Sequence, residues 1–146
     1  MRTRALFKAV ACAVLATGII PAGATNIVWT NTASGDWATA ANWNPNQVPS
    51  PLDDVSINGA GTVTVDASAA ANSLSLGGGT LAGSSSLVLS GTLTWVGGTI
   101  SGTVQCNGGT GGGGSANTFL NGGQLINTGT LTVATTGVYA FYTGNG

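Results

Sequence analysis

Past residue 24 the chain alternates apolar and polar positions in short runs. They are Val55-Ser-Ile57, Val63-Thr-Val65, Leu74-Ser-Leu76, Leu87-Val-Leu89, Leu93-Thr-Trp95, Val104-Gln-Cys106 and Leu131-Thr-Val133. A period of two marks strands with one buried face, and no helical spacing competes with it. Gly, Asn and Ser separate the runs, as turn residues do. Each run falls short of the roughly 5–6 residues of an ordinary strand. Many very short strands with polar corners suit a coiled stack better than a sandwich.

A repeat points the same way. Gly78-Gly-Thr-Leu81 returns as Gly97-Gly-Thr-Ile100 after 19 residues, which sets Leu74 beside Leu93 and Leu76 beside Trp95. It returns as Gly122-Gly-Gln-Leu125 after 25 more, so the glycine-rich stretch 108–114 reads as a loop inserted in one turn. That register sets Leu87 and Leu89 beside Leu131 and Val133, and extends the two inner ladders to Val138 and Tyr139. The predicted fold is all-β: a right-handed parallel β-helix, or β-solenoid, of about four turns over residues 59–146. Aligned inward side chains form ladders, and each turn supports only its neighbours. In this register the T-x-T pairs Thr62/Thr64, Thr92/Thr94 and Thr130/Thr132 fall at different places in the turn. They are therefore expected on different faces, which argues against an ice-binding array.

Residues 25–58 lie outside the period. They hold Trp29, Trp37 and Trp43 with Pro45, Pro49 and Pro51. An open solenoid end exposes unpaired backbone, and a Trp-rich N-terminal cap over the first turn would cover it. Nothing comparable is predicted at the other end. The solenoid is therefore expected to continue into further repeats, or to meet other copies of itself through its C-terminal edge.

Residues 1–24 read as a secretory signal peptide. Arg2, Arg4 and Lys8 precede an apolar stretch from Ala9 to Ile20, Pro21 ends it, and Ala22-Gly23-Ala24 is a small-residue cleavage site. The expected mature chain starts at Thr25, is exported, and has no membrane span, the apolar stretch being too short for one. Removing the leader removes every basic residue. The rest contains no Lys, Arg, His or Glu, and carries Asp36, Asp53, Asp54 and Asp66 for a formal charge of −4. Nucleic-acid binding, which needs cations against phosphate, is excluded.

The motifs Trp29-Thr-Asn, Gly35-Asp-Trp37, Ala41-Asn-Trp43-Asn-Pro45, Val48-Pro49, Asp53-Asp-Val-Ser-Ile57 and Val63-Thr-Val-Asp66 resemble the opening of large bacterial secreted β-helix proteins, of the autotransporter-passenger and surface-adhesin kind. The Gly-Gly-Thr-Leu and Gly-Thr-Leu-Thr-Trp segments, and the closing Tyr142-Thr-Gly-Asn-Gly146, resemble their strand repeats. The resemblance implies a right-handed β-helix on the cell surface, outside the cell or in the periplasm. It implies no particular activity, because such scaffolds carry many.

The residues offer little chemistry. A lyase on this scaffold needs a base, and none is present past the leader. A glycosidase needs two opposed carboxylates, whereas adjacent Asp53 and Asp54 would point opposite ways along a strand. Catalysis and cofactors are therefore not expected. Asp36, Asp53 and Asp54, with Asn42, form the one weak set of Ca²⁺ ligands, against a simpler role in capping turns. Trp29, Trp37 and Trp43 are either the core of the cap or platforms for surface glycans. Cys106, the single cysteine past the leader, reads as a small buried hydrophobe. The expected function is a non-catalytic extracellular structural or adhesive segment. The alternative is a carbohydrate-binding or carbohydrate-active protein whose working residues lie outside this chain.

Overall fold

The structure, a computed structural model, describes residues 23–111, 118–133 and 139–142. The leader up to residue 22, the glycines at 112–114 and Val138 lie outside the described residues. The chain is a β-solenoid of about four turns, with up to three short strands per turn stacked into three sheets.

The first sheet stacks β1 (Asn26–Trp29), β4 (Asp54–Ile57), β7 (Ser73–Leu76), β10 (Leu93–Trp95), β13 (Gly109–Gly111) and β16 (Leu131–Val133), all parallel. The second stacks β2 (Gly35–Asp36), β5 (Thr62–Thr64), β8 (Thr80–Ala82), β11 (Gly98–Ile100), β14 (Thr118–Asn121) and β17 (Tyr139–Tyr142). The third holds β6 (Ala69–Ala71), β9 (Ser86–Leu89), β12 (Thr103–Cys106) and β15 (Gln124–Asn127).

Alternation decides what faces in. Ile27, Val55, Leu74 and Leu93 form one buried ladder, and Ile57, Leu76 and Trp95 form its neighbour. Val63, Leu81 and Ile100 line the second sheet, and Leu87 and Val104 the third. Neighbouring rungs lie about 4.8 Å apart, so each ladder is a continuous column of apolar contacts. The 19-residue register of Leu74 with Leu93 and Leu76 with Trp95 holds.

The glycine pair in the repeat has a steric cause. Gly79 and Gly98 turn the chain from the first sheet into the second with φ of +70° and +80°. A Cβ on Gly98 would lie 2.6 Å from the Gly79 carbonyl oxygen of the rung below. Only glycine meets both demands.

The register past Trp95 differs from the expectation. Gly109–Gly111 is a strand, paired Leu93 with Gly109 and Trp95 with Gly111, and not part of an inserted loop. The next partners in these ladders are Leu131 and Val133, while Tyr139 pairs with Thr118 in the second sheet. Leu125 aligns with Val104 and so continues the Leu87 column; it is not a copy of Ile100. The cause is uneven corner length. Leu93 to Gly109 spans 16 residues and Gly109 to Leu131 spans 22, so two turns still take 38.

The corrected register also restacks the hydroxyls. Ser56, Ser75, Thr94, Thr110 and Thr132 occupy successive rungs of one outward column. Thr94 and Thr132, the second members of two T-x-T pairs, therefore share a sheet after all, while Thr62 and Thr64 belong to another.

Residues 25–58 both extend and close the stack. β1 and β2 add parallel strands below β4 and β5. β3 (Trp43–Asn44) then turns back and pairs antiparallel with β1, so β1 is not an edge.

Candidate functional site

The features that set the first turn apart lie together between β1 and β6. The chain reaches β2 from β1 and makes a short 3-10 turn at Ala40–Asn42. It then enters β3 and runs through the proline loop to Asp53. Among the described residues no strand of the third sheet precedes β6, and the proline loop lies beside β6 instead.

The three tryptophans hold this loop in place. Trp43 lies between Trp29 and Trp37, with ring centroids 4.8 Å from each and edge-on angles of 82° and 71°. Its Nε1–H donates to the Trp37 carbonyl at 2.8 Å. All three rings are at most 5% exposed. Edge-on aromatic packing of this kind adds about 0.5–1.5 kcal/mol per pair beyond the area buried. With the rings packed inward, the fold leaves no open indole face for a sugar.

Beside this cluster is an open groove of about 270 Å³. Val48, Pro49 and Pro51 line it together with Ala69 and Ala70 of β6. Asp36 and Asp66 both line it. Sequence reasoning missed that these two acids line one groove; the Asp66 carboxylate accepts there from the Ser84 amide at 3.3 Å. The signal was the longer first turn: a 28-residue offset sets Asp36 beside Thr64, which brings Asp66 to the same end of the sheet.

The expected metal ligands separate. Asp36 faces the groove, and Asn42 uses its amide nitrogen on the Asp36 carbonyl and its amide oxygen to accept from Asn31. Asp54 accepts from the Asn72 amide and the Ser73 hydroxyl on the outside of the stack. Asp53 turns inward. Among the described residues, no three His, Cys, Asp or Glu side chains gather where one ion would reach them.

Asp53 is the single buried charged side chain among the described residues, 2% exposed. Its Oδ2 accepts from the Ser50 amide at 2.8 Å and the Ser50 hydroxyl at 2.6 Å, and its Oδ1 accepts from the Thr25 amide at 3.0 Å. Burial pushes its pKa up. The donors from Ser50 and Thr25 outweigh burial and hold the carboxyl below its usual value. Asp53 therefore fastens the end of the proline loop to the start of β1.

Cys106 is buried as expected. Burial raises its thiol pKa, partly offset by the Gly108 amide, and Sγ lies 3.6 Å from Asn127 Oδ1. A thiol so placed stays protonated and unreactive at neutral pH.

No family model, curated protein or solved structure matches this chain.

Proposed function

We propose that the chain is a non-catalytic structural or adhesive segment that works outside the cytoplasm, built as a β-solenoid whose outer faces make its contacts. The single observation that carries this reading is the stack itself. The interior is filled by packed ladders, while the outer rows are short, mostly uncharged side chains repeated rung after rung. The reading also rests on the basic, apolar and small-residue order of residues 1–24, which fits a secretory leader. The resemblance to passenger and adhesin proteins is consistent with it. Its expected contacts are surface glycans or further copies of the chain. The groove at Asp36 and Asp66 is what favours the carbohydrate reading, since it offers polar groups beside an apolar wall.

Expression of the full chain in a secreting bacterial host tests the proposal. The expected product is outside the cytoplasm, begins at Thr25 by N-terminal mass spectrometry, and releases no reducing ends from polysaccharides. Material that keeps Met1 and stays in the cytoplasm contradicts the export. Polysaccharide cleavage abolished by Asp36→Asn or Asp66→Asn contradicts the non-catalytic role.

A further inference from the structure

We propose that cutting the chain between Ala24 and Thr25 creates an ion pair that locks the first rung: the new α-ammonium of Thr25 binds the buried carboxylate of Asp53. This rests on the export reading for its occurrence in the cell, and on geometry for its chemistry. A host peptidase adds water across the Ala24–Thr25 peptide bond. The C–N bond breaks, Ala24 leaves as a carboxylate, and the Thr25 nitrogen takes up protons to become an ammonium.

Three observations converge on this site. Asp53 is buried, yet residues 9–146 contain no Lys, Arg or His to balance it. After processing, the one cationic group within residues 25–146 at neutral pH is the new amino terminus. The Thr25 nitrogen already lies 3.0 Å from Asp53 Oδ1 as a neutral amide. Its position is fixed from the other side, because the Asp54 amide donates to the Thr25 carbonyl at 2.9 Å. Gly23 and Ala24 are exposed, so the bond to be cut is accessible.

The amide already makes a charge-assisted hydrogen bond to the carboxylate, and converting it to an ammonium turns that bond into a full ion pair, adding the attraction of opposite charges at the same contact. No other acid competes for it. Asp54, the next residue, directs its carboxylate to Asn72 and Ser73, and Asp36 and Asp66 face the groove. The pH window follows from the two groups. The ammonium's pKa is raised by the pair, so its contribution is full below the ordinary amino value of about 7.7–8.0 and is lost as pH rises through the raised one. The carboxylate's pKa is lowered, so its contribution is present above about 3.9 and is lost as pH falls through the lowered one. The processed chain is thus held most firmly between these limits. The precursor has only the acidic boundary.

The test titrates the Thr25 amino group by NMR in chain cut ahead of Thr25. The expected pKa lies at least about one unit above the ordinary amino value, a shift equivalent to about 1.4 kcal/mol. Asp53→Asn returns it to the ordinary value. N-terminal acetylation lowers the thermal midpoint of the wild-type processed chain and leaves that of the Asp53→Asn chain unchanged. An ordinary amino pKa in the folded wild type overturns the proposal. So does an equal effect of acetylation in both backgrounds. Should Asp53→Asn fail to fold, the wild-type titration still decides. A normal pair in a chain that cells never process at Thr25 would defeat the export reading alone.

Discussion

Replacing Leu93 with Ala is expected to destabilise the protein by about 2–5 kcal/mol, the range for emptying a buried Leu site. Leu93 is fully buried. On one side its ladder neighbour is Leu74, and on the other it is Gly109, which has no side chain. The rungs are held about 4.8 Å apart by backbone hydrogen bonds, so the stack cannot settle into the space. Gly109 cannot be enlarged to compensate, because a Cβ there would run into the Leu93 backbone. Val88→Ala serves as the control. Val88 is 43% exposed on the third sheet, and its truncation is expected to change stability by less than about 0.5 kcal/mol. Urea midpoints of the two variants against wild type check both values. Equal losses would mean that Leu93 is not interior.

The second large effect is expected at Asp53. Asp53→Ala removes the acceptor of three donors, two from Ser50 and one from Thr25. Hydrogen bonds to a charged group contribute about 1.5–3 kcal/mol each, and those donors that stay buried are left unsatisfied. A loss on the order of 3 kcal/mol is expected, with the proline loop and the start of β1 released first. The carboxyl is held below its usual pKa in the folded protein. Its contribution is therefore present above about pH 3.9 and is lost as the pH falls through the lowered value. Denaturation at pH 7 and pH 3 checks this. Wild type should lose stability between the two, and the Asp53→Ala protein should lose less. Hydrogen exchange should rise first at residues 26–29 and 50–54.

Much of the architecture was legible in the sequence because two independent patterns agreed. Alternation identified the strands, and the Gly-Gly-Thr repeat set the register of β7 with β10. The repeat misled past Trp95 for a physical reason. A solenoid fixes the strands, while corners can gain or lose residues without disturbing the rungs. Gly109 and Gly111 carry no apolar side chain, so alternation could not mark them as a strand, and the shortened turn passed for part of an insertion. Gly122-Gly-Gln-Leu125 matched the wrong corner, since a Gly pair suits any corner that needs positive φ. The burial of Trp29, Trp37 and Trp43 followed from their being the main large apolar groups of the opening segment. The joining of Asp36 and Asp66 at one groove did not, because it depends on the longer first turn, which no repeat announces. The inward turn of Asp53 was equally hidden. An Asp-Asp pair shows that its two side chains diverge, but not which one enters the core.

The central claim is the register of the stack, and the most direct measurement of it is cysteine cross-linking. In a chain with Cys12 and Cys106 replaced by Ala, Thr110→Cys is combined with Thr132→Cys. Neighbouring rungs place these Cα atoms about 4.8 Å apart, inside the range of about 4.4–6.8 Å that a disulfide spans. The structure predicts ready oxidation of this pair to an intramolecular disulfide, and none between Val88→Cys and Thr132→Cys, which lie on different sheets. A disulfide in the second pair and none in the first would contradict the fold described.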